Sequence, residues 1–265
     1  MTVRVATSLA EACAALAEDP DAEVLAGGTD FMVEVNHGRR RPSAVVAIAR
    51  VPELAGWDRD GDQVRLGAAL TYTDLGRPDL AALAPALADA ARTVGSPQVR
   101  NAGTLGGNLG TASPAGDLLP VLVALDATVH LRSATGARDL PVTDFLTGVK
   151  QTALAPGELI EAVTIPVARG PQHFLKVGTR NAMVIAVVSL ALVVDTDAGA
   201  VAVGLGSVGP TPLRVTATVE EANDPGFPAR VADAARPIDD HRSSAAYRRH
   251  AVAVLAERAV RRAFP

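Results

Sequence analysis

The 265-residue sequence contains a single cysteine, Cys13, and only 3% aromatic residues. A lone cysteine excludes an intrachain disulfide. It also excludes zinc or iron–sulfur sites built entirely from cysteines of this chain, because each needs several thiolates. The histidines show no metal-ligand spacing, and no serine stands in a nucleophile elbow. Cys13 shares one face of a predicted helix with Leu9 and Leu16, so we expect a packed thiol.

The sequence also lacks a strong charge of one sign and a long hydrophobic run. The net charge of −4 and the pI near 5.7 argue against nucleic acid or an anionic membrane as the main partner. The longest apolar stretch, residues 182–194, is too short to span a bilayer, and the first residues lack the pattern of a signal peptide. With 48% hydrophobic residues, we expect a folded, soluble, cytoplasmic protein.

Hydrophobic periodicity predicts an α+β protein in two parts. In the first part, Ser8 and Glu11 predict a capping box at a helix start, and a short strand runs directly into the glycines at 27–28. Further helices are predicted over residues 31–36, 79–94 and 117–125. In the smaller second part, three strand-like runs predict an antiparallel meander, at residues 173–178, 182–194 and 200–206.

Helices are predicted at the end of the chain, over residues 229–235 and 244–263. The last helix is rich in arginine, which we interpret as a solvated face, with subunit docking as the alternative. These arginines are Arg248, Arg249, Arg258, Arg261 and Arg262.

Gly204, Gly206 and Gly209 form a literal GxGxxG motif. In a dinucleotide-binding fold this motif follows a strand and opens a helix, so that the pyrophosphate meets the helix amides. Here Pro210 and Pro212 follow and forbid a helix. We therefore interpret the motif as a glycine-rich turn.

Two other glycine pairs, at residues 27–28 and 106–107, are better placed for binding a phosphate. Paired glycines let backbone amides approach an anion, and a helix start after them adds a favourable dipole. A threonine lies close to each pair, Thr29 and Thr104, and can donate a hydroxyl hydrogen bond. Two such loops could clamp the two phosphates of one dinucleotide, although each alone is also the pattern of a tight turn.

An ordered set of motifs resembles a known family. The strings AGGTD (26–30), VRNAGTLGGN (99–108) and SPAGDLLP (113–120) are followed by KVGTRNA (176–182) and DHRSSAAYR (240–248). Together they resemble the FAD-binding medium subunit of molybdenum hydroxylases, the family of xanthine dehydrogenase and carbon monoxide dehydrogenase. The resemblance implies a two-part FAD-binding domain of the vanillyl-alcohol oxidase (PCMH) type over residues 1–168. It implies a CO dehydrogenase flavoprotein C-terminal domain, three antiparallel strands plus helices, over residues 169–265.

The resemblance also implies which residues bind FAD, and it implies no catalytic residue and no metal ligand in this chain. Asp30 is expected to cap the helix that follows it and to point away, because a carboxylate beside a pyrophosphate is repulsive. Val94 stands where animal xanthine dehydrogenases place a phenylalanine against the flavin. The implied cofactor-binding residues are Ala26, Gly27, Gly28, Thr29, Asp30, Thr104, Leu105, Gly106, Gly107, Asn108, Asp117, Ile160 and Lys176.

The function implied is electron transfer through FAD. The implied partners are an iron–sulfur small subunit with [2Fe–2S] clusters and a large subunit with the molybdenum cofactor, in a dimer of heterotrimers. This chain would take electrons from the clusters and pass them to a final acceptor. Two alternatives remain at this point: a stand-alone flavin reductase of the same fold, and a non-catalytic assembly subunit whose glycine loops are only turns.

Overall fold

The computed structural model describes all residues from 1 to 265 and has a mixed α/β architecture with four sheets. Strands are numbered in chain order: β1 Thr2–Val5, β2 Glu23–Leu25, β3 Ala44–Ala47, β4 Trp57–Asp60, β5 Gln63–Gly67, β6 Thr128–Ser133, β7 Gly136–Pro141, β8 Leu146–Gly148, β9 Gln151–Thr152, β10 Leu159–Pro166, β11 Gln172–Val177, β12 Val188–Asp195, β13 Ala200–Gly206 and β14 Leu213–Thr218.

Most helices are short, and none is both long and apolar enough to cross a membrane. They are α1 Leu9–Glu18, α2 Phe31–Asn36, α3 Tyr72–Leu75, α4 Pro78–Leu83, α5 Pro85–Thr93, α6 Pro97–Arg100, α7 Leu105–Thr111, α8 Leu118–Ala124, α9 Val142–Phe145, α10 Val219–Ala222, α11 Phe227–Ala234 and α12 Ala245–Ala263, with one 3₁₀ turn at Pro52–Leu54.

The N-terminal part is a small parallel sheet in the order β1-β3-β2, with α1 packed beside it. Ser8 caps α1 by accepting from the N–H of Glu11, as predicted. The Glu11 carboxylate accepts from the N–H of Thr7 instead of Ser8, so the reciprocal half of the capping box is displaced by one residue. Cys13 is buried in the core of this part, which confirms its prediction as a packed thiol.

The middle of the chain forms a five-stranded antiparallel sheet in the order β4-β5-β10-β6-β7, whose core includes α5 and α8. The single helix predicted over residues 79–94 is wrong, because the structure has α4 and α5 there. Pro85 has no N–H to donate and disfavours a helical conformation at the preceding residue. Ala84 accordingly lies at φ −142° and ψ 69°, which separates the two helices.

The C-terminal sheet has four antiparallel strands, in the order β11-β12-β13-β14, where the sequence predicts three. The missed strand, β14, lies at the sheet edge, where its residues alternate between partly buried and exposed. The predicted run at 182–194 is a strand only from Val188 onward. Helices α11 and α12 pack against this sheet and contribute to its core.

The glycines of the GxGxxG motif, which we do not interpret as a dinucleotide-binding motif, allow close packing. A Cβ on Gly204 would lie 1.8 Å from the carbonyl oxygen of Pro120, so the glycine in β13 allows close contact with α8. A Cβ on Gly206 would lie 2.3 Å from Oγ of Ser189. The next regular element is β14 and not a helix, which confirms that these glycines do not open a dinucleotide-binding helix. The interpretation of the whole motif as a turn is wrong, because Gly204 and Gly206 lie within β13.

Arg248 is the exception among the arginines of α12. The other four are exposed, as predicted, but Arg248 is only 2% exposed. Its guanidinium donates to the carbonyl oxygens of Val187 and Ser207, and it pairs with Asp240 at 2.7 Å. The prediction of a solvated Arg248 is wrong, because this side chain connects α12 to the segments that flank β12 and β13.

The charge of Asp240 is stabilised in the folded state. Desolvation raises the pKa of this carboxyl, but hydrogen bonds from Arg242, Arg248 and backbone amides outweigh it and leave the pKa well below its usual range. The carboxylate therefore contributes stability at neutral pH that is lost as the pH falls below about 4.

We predict that Asp240→Asn lowers the free energy of unfolding by about 3 kcal/mol at pH 7, because Arg248 would remain buried without its counter-charge. Urea denaturation checks this value, with Asp233→Asn as a control because the Asp233 side chain is exposed and unpaired. The difference from wild type should narrow below about pH 4, where Asp240 becomes protonated in the unfolded chain. Equal losses in the two variants would contradict the assigned role.

Candidate functional site

The first glycine segment, residues 26–30, lies between the end of β2 and the start of α2. Gly28 has φ +71°, a conformation that favours glycine, and turns the chain into the helix. None of the backbone N–H groups from Ala26 to Asp30 donates a hydrogen bond within the chain. Consecutive unpaired N–H groups at a turn before a helix are suited to binding an anion.

The second glycine segment, residues 104–108, has a different hydrogen-bonding pattern. From residue 105 onward its N–H groups are already paired: Leu105 donates to Leu70 O, Gly106 to Ala68 O, and Gly107 to the Oγ1 of Thr104. Thr104 is thereby the N-cap of α7. The groups left for a ligand are therefore the N–H and the hydroxyl proton of Thr104, the Asn108 side chain and the exposed backbone face of Gly107.

The first glycine segment touches residues 102 and 103, which directly precede the second glycine segment. A Cβ on Gly27 would lie 1.6 Å from the carbonyl oxygen of Ala102, a distance that no side chain could accommodate. A Cβ on Gly103 would lie 3.1 Å from Oγ1 of Thr29. The structure therefore brings together the two segments that the sequence predicts to act on one ligand.

Gly106 and Gly107 differ in how much space surrounds them. A Cβ on Gly106 would lie 2.7 Å from the Cβ of Ala68 and 2.9 Å from its carbonyl oxygen, so this glycine packs against the chain itself. Gly107 is exposed, and the one neighbour that its Cβ would meet is Oγ1 of Thr104, at 2.9 Å. The open face of the second segment is therefore at Gly107.

Asn108 has one polar atom with a partner and one without. Its side-chain amide donates from Nδ2 to the hydroxyl of Tyr72 at 3.1 Å. Its Oδ1 is buried and accepts no hydrogen bond from the chain. Because buried acceptors are nearly always paired in folded proteins, this oxygen indicates a place where a ligand donor fits.

Asp117 and Lys176 form a buried ion pair near the second segment. Nζ of Lys176 lies 2.5 Å from Oδ2 of Asp117, and the two side chains are 8% and 6% exposed. Thr93 contributes its hydroxyl to Asp117 and its carbonyl oxygen to Lys176. Burial raises the pKa of Asp117, and the Lys176 ammonium and the Thr93 hydroxyl oppose that rise. The other oxygen of Asp117, Oδ1, is buried and unpaired.

Ile160 lies on β10 and is 7% exposed. Its Cδ1 would be 3.8 Å from a Cβ on Gly110, which places it beside α7. Asp30 occupies the N-cap position of α2, but its side chain makes no capping hydrogen bond, so that prediction is wrong. Its carboxylate lies 3.5 Å from the hydroxyl of Thr111 instead, because the neighbouring α7 offers a donor.

Val94 ends α5 and is partly buried against the central core. Its carbonyl oxygen and that of Gly95 accept hydrogen bonds from the Arg100 guanidinium, which fixes the chain just before α6. That Val94 lies against a flavin stays a prediction.

The family follows from comparison with known proteins. Residues 1–168, more than half of the chain, match the FAD binding domain in molybdopterin dehydrogenase. Residues 173–263 match the CO dehydrogenase flavoprotein C-terminal domain. The chain belongs to the FAD-binding medium subunits of the molybdenum hydroxylase family.

Among its relatives, this medium subunit is 32% identical over 266 residues to the glyceraldehyde dehydrogenase medium chain of Sulfolobus acidocaldarius, covering 96% of this chain and 95% of that one. It is 36% identical over 186 residues to the nicotinate dehydrogenase FAD-subunit of Eubacterium barkeri. That alignment covers 68% of this chain and 63% of the relative. This chain therefore spans less than two thirds of the length of that relative.

Solved structures match over nearly the full length of this medium subunit. Carbon monoxide dehydrogenase from Hydrogenophaga pseudoflava has a TM-score of 0.90 at 27% identity, covering 100% of this chain and 97% of that one. Quinoline 2-oxidoreductase from Pseudomonas putida 86 has a TM-score of 0.89 at 27% identity, covering 99% and 96%. The mixed α/β fold with several sheets is therefore the fold of these medium chains.

The sequence does not predict two residues of the medium subunit's site. Tyr72 and Thr93 lie outside every glycine motif, and each enters the site through a contact with a distant residue, Asn108 and Asp117 respectively. The one available signal was for Tyr72, since the chain has only two tyrosines and this one follows a helix-capping threonine.

We predict that Lys176→Met destabilises this subunit by about 3–5 kcal/mol at pH 8, because Asp117 would remain buried without a counter-charge. Losing the ammonium raises the Asp117 pKa further, so the variant takes up a proton there on acidification. Its deficit relative to wild type should therefore shrink between pH 8 and pH 5.

Urea denaturation of the wild type and the variant at both pH values tests this expectation. The double variant Asp117→Asn, Lys176→Met should recover part of the lost stability, because no buried charge is left unpaired. A deficit that is the same at pH 5 and pH 8 would show that Asp117 does not titrate as described.

Proposed function

We propose that this chain is the FAD-carrying electron-transfer subunit of a molybdenum-containing hydroxylase or dehydrogenase. The observation that carries the proposal is the row of unpaired N–H groups from Ala26 to Asp30, in contact with the residues that lead into the second glycine segment. A diphosphate accepts several N–H donors at once. The segment is therefore the proposed binding site for the FAD pyrophosphate.

The remaining groups of the site fit other parts of FAD. The unpaired Oδ1 atoms of Asn108 and Asp117 need donors, and FAD carries hydroxyl groups along its sugar chain and an N–H on its ring. Gly107 presents an open backbone face for close approach. The other residues proposed to contact FAD are Thr104, Leu105 and Gly106 of the second segment, together with Ile160 and Lys176.

In this proposal the chain binds and orients its cofactor and tunes the electrostatic field around it. When bound, FAD supplies a redox centre that exchanges electrons with [2Fe–2S] clusters of a partner and with a final acceptor. The first glycine segment would fix the diphosphate, and the Asp117–Lys176 pair would set the charge beside the ring. No side chain of this chain is assigned as an acid or base catalyst.

We propose the partners and the finer fold on the family's pattern. The names of the relatives, a medium chain and an FAD-subunit, describe parts of multi-subunit enzymes. We propose an iron–sulfur small subunit and a large subunit with the molybdenum cofactor, in a dimer of heterotrimers in the cytoplasm. The division into a PCMH-type FAD-binding domain, residues 1–168, and a C-terminal domain, residues 169–265, is part of the same proposal.

We predict that Gly107→Asp weakens FAD binding at least about 100-fold, or about 2.7 kcal/mol. The new carboxylate would stand on the open face of the second segment and repel the diphosphate. Asp in the first turn of a helix interacts favourably with the helix dipole. Its Cβ would lie 2.9 Å from Oγ1 of Thr104, so we expect a local shift of this N-cap and retention of the overall fold. Fluorescence titration of the FAD-free chain measures the affinity, and thermal unfolding checks the fold.

The matched control is Gly136→Asp, since Gly136 begins β7 directly after the β6–β7 turn and a Cβ there meets nothing within 4 Å. The control should bind FAD as the wild type does. If Gly107→Asp retains wild-type affinity, the second segment does not border the diphosphate. If the wild-type chain binds no FAD at all, the proposed function itself is wrong.

A further inference from the structure

Tyr72 packs against Gly103, at the place where the first glycine segment meets the residues that lead into the second. It is the first residue of α3, after Thr71, which forms a capping box with Asp74. Its N–H donates to the carbonyl oxygen of Gly103 at 3.1 Å. The backbone of Tyr72 is therefore attached to the segment that leads into α7.

The ring of Tyr72 packs against the same segment. A Cβ on Gly103 would lie 2.6 Å from Cε2 of Tyr72 and 3.1 Å from Oγ1 of Thr29. Gly103 thus lies close to both the tyrosine ring and the first glycine segment. Tyr72 is 6% exposed, so its ring has little freedom to move away.

The hydroxyl of Tyr72 is hydrogen-bonded to the Asn108 amide. It accepts from Nδ2 at 3.1 Å, and Oδ1 of the same amide is the buried, unpaired acceptor. Desolvation is the main reason that the pKa of Tyr72 rises to about 12, so the hydroxyl stays protonated at neutral pH. A neutral phenol accepts the amide N–H without placing a negative charge near the proposed diphosphate site.

Building on the proposed function, we infer that Tyr72 is a positioning residue for the cofactor. It holds the Asn108 side chain so that Oδ1 accepts a hydrogen bond from a hydroxyl or N–H donor of FAD. Tyr72 acts through Asn108 and does not itself contact the reacting ring. The proposal assigns a role to a residue outside both glycine motifs.

Tyr72→Phe removes only the hydroxyl and tests this role. We expect the dissociation constant for FAD to rise about five- to tenfold, because Asn108 would lose the hydrogen bond that fixes its amide. Fluorescence titration of the FAD-free full-length chain measures the affinity. Tyr247→Phe is the matched control, since Tyr247 is the other tyrosine and is 51% exposed on α12; its affinity should equal that of the wild type.

A double-mutant cycle with Asn108→Ala separates positioning from a general structural effect. If Tyr72 acts through Asn108, Tyr72→Phe should cause no further loss of affinity in the Asn108→Ala background. The side-chain NH₂ signals of Asn108 in a ¹⁵N-labelled chain should also shift in Tyr72→Phe before FAD is added. A structural weakening would instead reduce affinity equally in both backgrounds.

The outcomes distinguish this inference from the function on which it rests. If the wild type binds FAD and Tyr72→Phe binds it equally well, the positioning role is overturned and the proposed function stands. Equal losses with and without Asn108 also overturn the role. A wild-type chain that binds no FAD overturns the proposed function and this inference together.

Discussion

The site depends on the close approach of the Gly27 backbone to the carbonyl oxygen of Ala102. The two residues are far apart in the chain, and the contact leaves no room for a side chain at residue 27. It brings the end of β2 against the segment that leads into α7. Because the N–H groups of residues 105–108 are used within the chain, the contact places the free N–H groups of the first segment beside an already ordered helix start. The first glycine segment supplies free N–H donors, and the second supplies an ordered backbone surface beside them.

The buried charge near the second glycine segment is neutralised within the chain. Asp117, the only carboxylate among the buried residues, is paired with Lys176, so it adds no net negative charge. The pair also connects α8 to the C-terminal sheet, since Lys176 lies on β11. Part of the C-terminal sheet thereby forms one side of the site. Loss of the ammonium would then affect both stability and the field at the cofactor.

The sequence predicts the elements of the site better than their relation to each other. Paired glycines beside a threonine indicate anion binding at residues 27–28 and 106–107. This prediction is possible from the sequence because it depends only on the chemistry of neighbouring residues. The two segments differ in which N–H groups are free for a ligand. The N–H groups of residues 105–107 donate to Leu70, Ala68 and Thr104, whereas those of residues 26–30 donate to no group of the chain. No sequence pattern shows which N–H groups a tertiary contact will use.

The fold is predicted to a similar extent. The helix break at Pro85 follows from proline chemistry, although the apolar repeat over residues 79–94 obscures it. The burial of Arg248 has no local sign, because its partner Asp240 and the carbonyl oxygens it binds come from other segments. β14 is missed because an edge strand buries little apolar surface. The helix break thus has a local cause, whereas the burial of Arg248 depends on carbonyl oxygens of distant segments.

The most direct test of the account is competition for FAD binding by fragments of the cofactor. The claim is that the backbone N–H groups of residues 26–30 bind a diphosphate, so much of the affinity should reside there, at about 1.5–3 kcal/mol for each hydrogen bond to a charged group. Fluorescence titration of the FAD-free chain with FAD, in the presence of ADP or riboflavin, measures this. The account predicts that ADP displaces FAD and that riboflavin at the same concentration does not. Displacement by riboflavin without displacement by ADP would contradict it.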